Sequence, residues 1–145
     1  MASFTLVAEA AAPPDVVFEV LTDHRGYPAL SRIRSVELER EGEPAPNGVG
    51  AIRAIKAVGP RLREEVIAYE PSSRFAYKLL SGAPVRDHTG TVELSETATG
   101  THVTYRIDTT PTLPLLGGLV VRIARGTVQQ LLDGIVAEAE RRAKR

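Results

Sequence analysis

The chain has 145 residues, 43% hydrophobic and 25% charged, with 18 basic and 18 acidic side chains that cancel. That is the size and make-up of one core-forming soluble domain, 1–145, and without a basic excess it is not expected to bind nucleic acid. No cysteine is present, which excludes disulfides and thiolate metal sites.

Residues 1–9 lack a basic segment followed by a long apolar run, so no secretory leader is expected and the location is read as cytoplasmic. Residues 4–10 read as a strand, with Phe4, Leu6 and Ala8 on one side and Thr5, Val7 and Glu9 on the other. Pro13-Pro14 breaks that pattern and opens a short helix through Val16, Val17, Phe18, Val20 and Leu21. Asp23-His24-Arg25-Gly26 ends it, with Gly26 placed for a left-handed cap, and residues 27–30 form one further turn. From Ile33 the period is two, giving strands at 33–39, 49–58, 62–69, 74–80, 85–95 and 102–109. Strand 49–58 has alanine and isoleucine on both sides, so its faces are ambiguous. Intervening turn residues make neighbouring strands antiparallel.

The last segment, 112–145, has helical spacing. Leu116, Leu119, Val120, Ile123, Thr127, Val128, Leu131, Ile135 and Val136 recur at three and four and are expected to face the sheet. Arg122, Arg125, Gln129, Asp133, Glu138 and Arg142 are expected to face water, with Thr112 capping the start and Pro114 in the first turn. The apolar run 113–121 is too short to cross a bilayer, so no stable membrane insertion is expected. A curved sheet of seven strands needs cover on its concave side, and a rod of about 40 Å supplies it.

Several phrases in this order resemble the START-like (SRPBCC) helix-grip superfamily, nearest its polyketide cyclase/dehydrase-like branch. They are Ala12-Pro13-Pro14-Asp15-Val16-Val17-Phe18 with Thr22-Asp23, Arg63-Glu64-Glu65-Val66 with Tyr69-Glu70-Pro71, Phe75-Ala76-Tyr77 with Ser81-Gly82-Ala83-Pro84, and Gly100-Thr101-His102-Val103-Thr104-Tyr105. The resemblance implies an α+β helix-grip fold: a seven-stranded curved antiparallel sheet wrapped around a long C-terminal helix, two short helices after strand 1, and an apolar tunnel between sheet and helix. Tryptophans common in that family are absent, and Phe18, Tyr27 and Tyr105 stand at the comparable places.

Counting in twos from Leu94 and Val92 puts His88 on the apolar face, unless a bulge at Gly90 reverses the parity. There it could bind a ligand oxygen or move a proton, or simply be a hydrogen-bonded rim residue. Glu64 shares a face with Val66 and Ala68, and Arg53 on the neighbouring strand could pair with it, either inside the concavity or as a cross-strand pair in solvent. Phe75, Tyr77, Tyr105 and Ile107 form a patch that is either plain core or cavity lining. The expected ligand-lining set is Phe18, Tyr27, Arg53, Glu64, Val66, Phe75, Tyr77, His88, Val92, Tyr105, Val120, Ile123 and Thr127, with His88 and Glu64 as candidate proton-transfer groups. No histidine pair has metal-ligand spacing and no phosphate loop or nucleophile motif occurs, so neither a metal nor a cofactor is expected. Three functions stay open: a carrier of a small hydrophobic or amphipathic molecule, a polyketide cyclase/dehydratase, and an interaction protein with a filled cavity. A homodimer is compatible with all three.

Overall fold

Period-two alternation and short turns build a single seven-stranded sheet. β1 (Ala2–Ala10) is followed by α1 (Pro14–Thr22) and a 3₁₀ helix (His24–Ala29). Then come β2 (Ser35–Arg40), β3 (Ile52–Lys56), β4 (Leu62–Glu70), β5 (Arg74–Ser81), β6 (Val85–Thr97), β7 (Gly100–Pro111) and α2 (Gly117–Ala143). This is a computed structural model, and it describes residues 1–57 and 59–145. The strand order is β1-β7-β6-β5-β4-β3-β2, antiparallel at each pairing. Strands β2 to β7 therefore run as a meander, and β1 returns to pair with β7 from Ala2↔Thr109 to Ala10↔Thr101. The strand expected over 49–58 is ordered as a ladder only at Ile52–Lys56; Val49 makes a lone bridge to Glu43, and Val58 lies outside the described residues.

Register irregularities settle which faces are inward. Between Val66 and Ala68 β4 carries an extra residue: Val66 pairs with Tyr77, yet Ala68 pairs with Ala76 and Tyr69 with Phe75. The bulge reverses the parity, so Glu64 and Val66 face inward before it and Tyr69 after it. That is why both sides of this strand look apolar in the sequence. In β6 the shift lies between Arg86 and Thr89, not at Gly90, with Asp87 at a positive φ of 52°.

The core gathers Phe4, Leu6, Val17, Val20, Tyr27, Val66, Phe75, Val92, Val103 and Ile107 with Leu131, Leu132, Ile135 and Ala139 of α2. The long helix lies against α1 and chiefly β1, with a lesser approach to β7. Gly134 permits its closest contact: a Cβ there would overlap the carbonyl of Leu30, where the 3₁₀ helix ends.

The phase of α2 differs from the expectation. Its inward stripe is Val121, Ala124, Val128, Leu131, Leu132, Ile135 and Ala139, whereas Leu119 and Ile123 are 50% and 59% exposed and Thr127 is exposed. The first half of the helix has apolar residues on two faces, and only tertiary packing chooses between them. Glu138, expected in water, is buried because Arg141 and Arg142 cover it with Nε bonds of 2.7 and 2.8 Å, and Arg142 also reaches Glu19 at 2.8 Å. Thr112 does not cap the helix, which starts after Leu116 with no side-chain cap. Gly26 is not a left-handed cap either: it lies within the 3₁₀ helix, and the Asp23 N–H closes α1 by donating to the carbonyls of Glu19 and Val20.

Candidate functional site

The inward face of β3, β4, β5 and β7 carries a polar cluster inside an apolar shell. Arg53 and Glu64 are direct cross-strand partners. Arg53 donates from Nε at 3.0 Å and Nη2 at 2.8 Å, both to Glu64 Oε1, and the two residues are 2% and 6% exposed. The guanidinium carbon lies 5.9, 5.5 and 4.7 Å from the ring centres of Tyr27, Phe75 and Tyr77, so its faces meet π-systems. Burial is the largest influence on Arg53 and opposes its charge, but the Glu64 carboxylate together with Tyr27, Tyr77 and Tyr105 outweighs it and holds the pKa above the usual value.

Tyr77 and Tyr105 share a hydrogen bond of 2.7 Å between their hydroxyls. Burial pushes both phenols above the ordinary tyrosine range, so both stay protonated. Gly90 makes this arrangement possible, because a Cβ there would run into the Tyr77 ring. Tyr27 is buried too, donates to the carbonyl of Leu21, and is pushed up to about 12 by burial.

His24 completes the cluster. It belongs to the stretch expected only to end the first helix, but the 3₁₀ helix tucks it under the sheet, with ring centres 5.5 Å from Tyr27 and 5.4 Å from Phe75. A signal was there: Val17, Val20, Leu21 and His24 keep the helical spacing. Burial first, and Arg53 second, lower its pKa well below the histidine norm, so the ring is neutral. Both His24 nitrogens and Arg53 Nη1 are buried without a hydrogen-bond partner among the described residues. Buried polar atoms of this kind are uncommon in folded proteins.

His88 sits at the edge of this cluster, half-buried, with Nδ1 3.0 Å from the Thr109 hydroxyl. Burial lowers its pKa, against an opposing pull from Glu64. Val66 and Val92 are buried beside the rings, while Phe18 packs edge-on against Tyr69 at 5.1 Å, to one side. Val120 is partly buried; Ile123 and Thr127 point to solvent and leave the lining set. Two concavities lie away from the cluster. One, about 410 Å³, is bordered by Val20, Asp23, Leu30, Gly134, Glu138 and Arg142, and the other, about 400 Å³, by Pro13, Asp15, Ser72 and Glu96.

The profile of the family described as polyketide cyclase/dehydrase and lipid transport matches residues 1–140. The chain belongs to that family. Solved structures agree on the fold of this polyketide cyclase/dehydrase family member. A START superfamily protein from Mycobacterium smegmatis superposes with a TM-score of 0.81 at 14% identity, over 96% of this chain and 97% of the other. The di-domain ARO/CYC StfQ from the steffimycin biosynthetic pathway gives 0.81 at 20% identity, over 99% of this chain and 52% of its own. XoxI from Bacillus cereus gives 0.76 at 16% identity, over 95% of each. No curated protein matches the chain. At these identities the likeness establishes the helix-grip fold, and the chemistry has to be argued from the cluster itself.

Proposed function

We propose that the protein binds a small, mainly apolar molecule between the sheet and α2, with a polar oxygen of that molecule directed at the Arg53–Glu64–Tyr77–Tyr105 cluster. The observation that carries the reading is Arg53. A guanidinium stacked among three rings and held by one carboxylate keeps Nη1 without a partner. Leaving a buried donor unmade costs on the order of 1–3 kcal/mol, and a ligand acceptor would recover that on binding. Family membership supports ligand binding in general without naming the ligand. The cluster is closed in this conformation, so access needs an opening. The first half of α2 is the more loosely packed half of the helix, since Val121, Ala124 and Val128 are only partly buried, and Gly117-Gly118 at the start of the helix is the proposed hinge.

A cyclase/dehydratase is the second reading, favoured by one observation. His88 is held neutral, and a tautomer donating from Nδ1 to Thr109 Oγ1 leaves Nε2 able to accept a proton. Glu64 is the other candidate in that role. Catalysed deuterium exchange at the acidic C–H of a β-dicarbonyl analogue, lost in His88→Gln, is the outcome this reading requires.

The binding reading is tested by native mass spectrometry and calorimetry with anilinonaphthalene sulfonate, a fatty acid and a naphthol. Saturable one-to-one binding is expected. An Arg53→Met/Glu64→Leu variant is expected to keep apolar binding while losing its preference for oxygenated probes. No saturable binding by any probe would overturn the proposal.

A further inference from the structure

The first turns of α2 and the segment before them carry large apolar side chains that the fold does not use. Leu113, Leu115, Leu116, Leu119 and Ile123 are all exposed. Leu116, Leu119 and Ile123 stand at i, i+3 and i+7, on one strip of the helix outside its buried stripe. Leu115 is fully exposed and has a positive φ of 66°. A left-handed backbone disfavours a branched side chain such as leucine, so the chain accepts strain where it turns this residue outward.

The charge around the strip is one-sided. No Asp or Glu occurs from residue 109 to residue 132, in a chain that otherwise holds 18 acids, while Arg122 and Arg125 lie within that span. Neither arginine pairs with a carboxylate among the described residues; Arg125 instead lies 5.6 Å from the Phe4 ring centre. The nearest acid before the span, Asp108, is already occupied by Arg106 and Ser3. No helix among the described residues is long and apolar enough to cross a membrane.

We infer that this strip docks the protein on an anionic lipid surface, with Leu115, Leu116, Leu119 and Ile123 entering the interface and Arg122 and Arg125 meeting the headgroups. Apolar area with flanking cations on one helix is the pattern of interfacial binding. A second copy of the chain fits less well, because residues 109–132 hold no carboxylate that could pair with Arg122 across a twofold contact through the strip. The inference does not rest on the ligand reading, since it uses only side chains outside the polar cluster.

The chain has no tryptophan, so Leu119→Trp places a sole reporter at the centre of the strip. Vesicles of phosphatidylcholine, with and without phosphatidylglycerol, are titrated at low and high salt. The expected result is a blue shift on the anionic vesicles only, weakened by salt. Sedimentation with the same vesicles should fall roughly tenfold or more for Arg122→Gln/Arg125→Gln and vanish for Leu116→Ser/Leu119→Ser/Ile123→Ser. All of these positions are exposed, so the variants should remain folded by circular dichroism. No shift on anionic vesicles, or binding unaffected by the arginine changes, would overturn the inference. So would a concentration-dependent dimer, by light scattering, that the serine variant abolishes. Binding of the naphthol or fatty-acid probes reads the internal site separately.

Discussion

Replacing Arg53 by Met leaves the Glu64 carboxylate, 6% exposed, without the guanidinium bonds at 3.0 and 2.8 Å that now hold it. Breaking a buried ion pair from one side costs roughly 3–5 kcal/mol, because the surviving charge keeps its desolvation penalty. Against a total of about 5–15 kcal/mol for a domain, that is a large fraction. It corresponds to a fall in Tm of about 10–20 °C. Arg53→Met/Glu64→Leu removes both charges and refills the space with apolar atoms, so it should return to within about 1 kcal/mol of the starting protein or exceed it. Urea unfolding followed by circular dichroism at neutral pH reads all three. A single variant costing less than about 1 kcal/mol, the value of an exposed pair, would show that water reaches Arg53 and Glu64 and would refute the closed cluster.

Stability should fall on mild acidification. His24 has a folded pKa well below its unfolded value, so its contribution is complete above about pH 6.5 and is lost as the pH drops toward the folded pKa, with a limiting slope of about 1.4 kcal/mol per pH unit. His88 adds in the same direction. Denaturation at successive pH values should flatten in His24→Gln, and an unchanged slope would refute the buried neutral ring. On α2, Ile135→Ala should cost about 2–5 kcal/mol, and Ile123→Ser within about 0.5 kcal/mol of nothing; similar costs would mean the helix is rotated. At Gly118 a Cβ meets nothing and at Gly117 only Pro111 at 3.4 Å, so Gly117→Ala/Gly118→Ala should raise stability by up to about 1 kcal/mol per site. If these glycines are the hinge, stopped-flow on- and off-rates of the bound probe should slow in the same variant.

The strands and the Arg53–Glu64 pairing were legible because each needs only local parity and a neighbouring strand. The inward turn of Tyr69 was not, since one inserted residue reverses that parity and leaves no mark in composition. The phase of α2 failed for a different reason. Leu116, Leu119 and Ile123 satisfy a helical period as well as Val121, Ala124 and Val128 do, and periodicity cannot tell which strip meets the sheet. Glu138 misled because a carboxylate reads as wet until Arg141 and Arg142 are seen folded over it. His24 could have been found by extending the α1 spacing past Asp23, where the chain tightens into a 3₁₀ turn instead of leaving the core.

The partnership of the first strand with the seventh has a consequence for how the molecule assembles. β1 leaves the ribosome ahead of the other strands, yet its neighbour begins at Gly100, so its backbone groups wait until β2 to β6 have been synthesised. The β2 to β7 meander can form meanwhile through near-neighbour hairpins. Closing β1 onto β7 then means joining the ends of a loop of about a hundred residues, an entropic toll that grows slowly with length but is met before any of those contacts form. Seating α2 on β1 comes later still, because β1 is the principal strand beneath it. Until then Phe4 and Leu6 stay uncovered, and aggregation during synthesis should concentrate at that nascent edge.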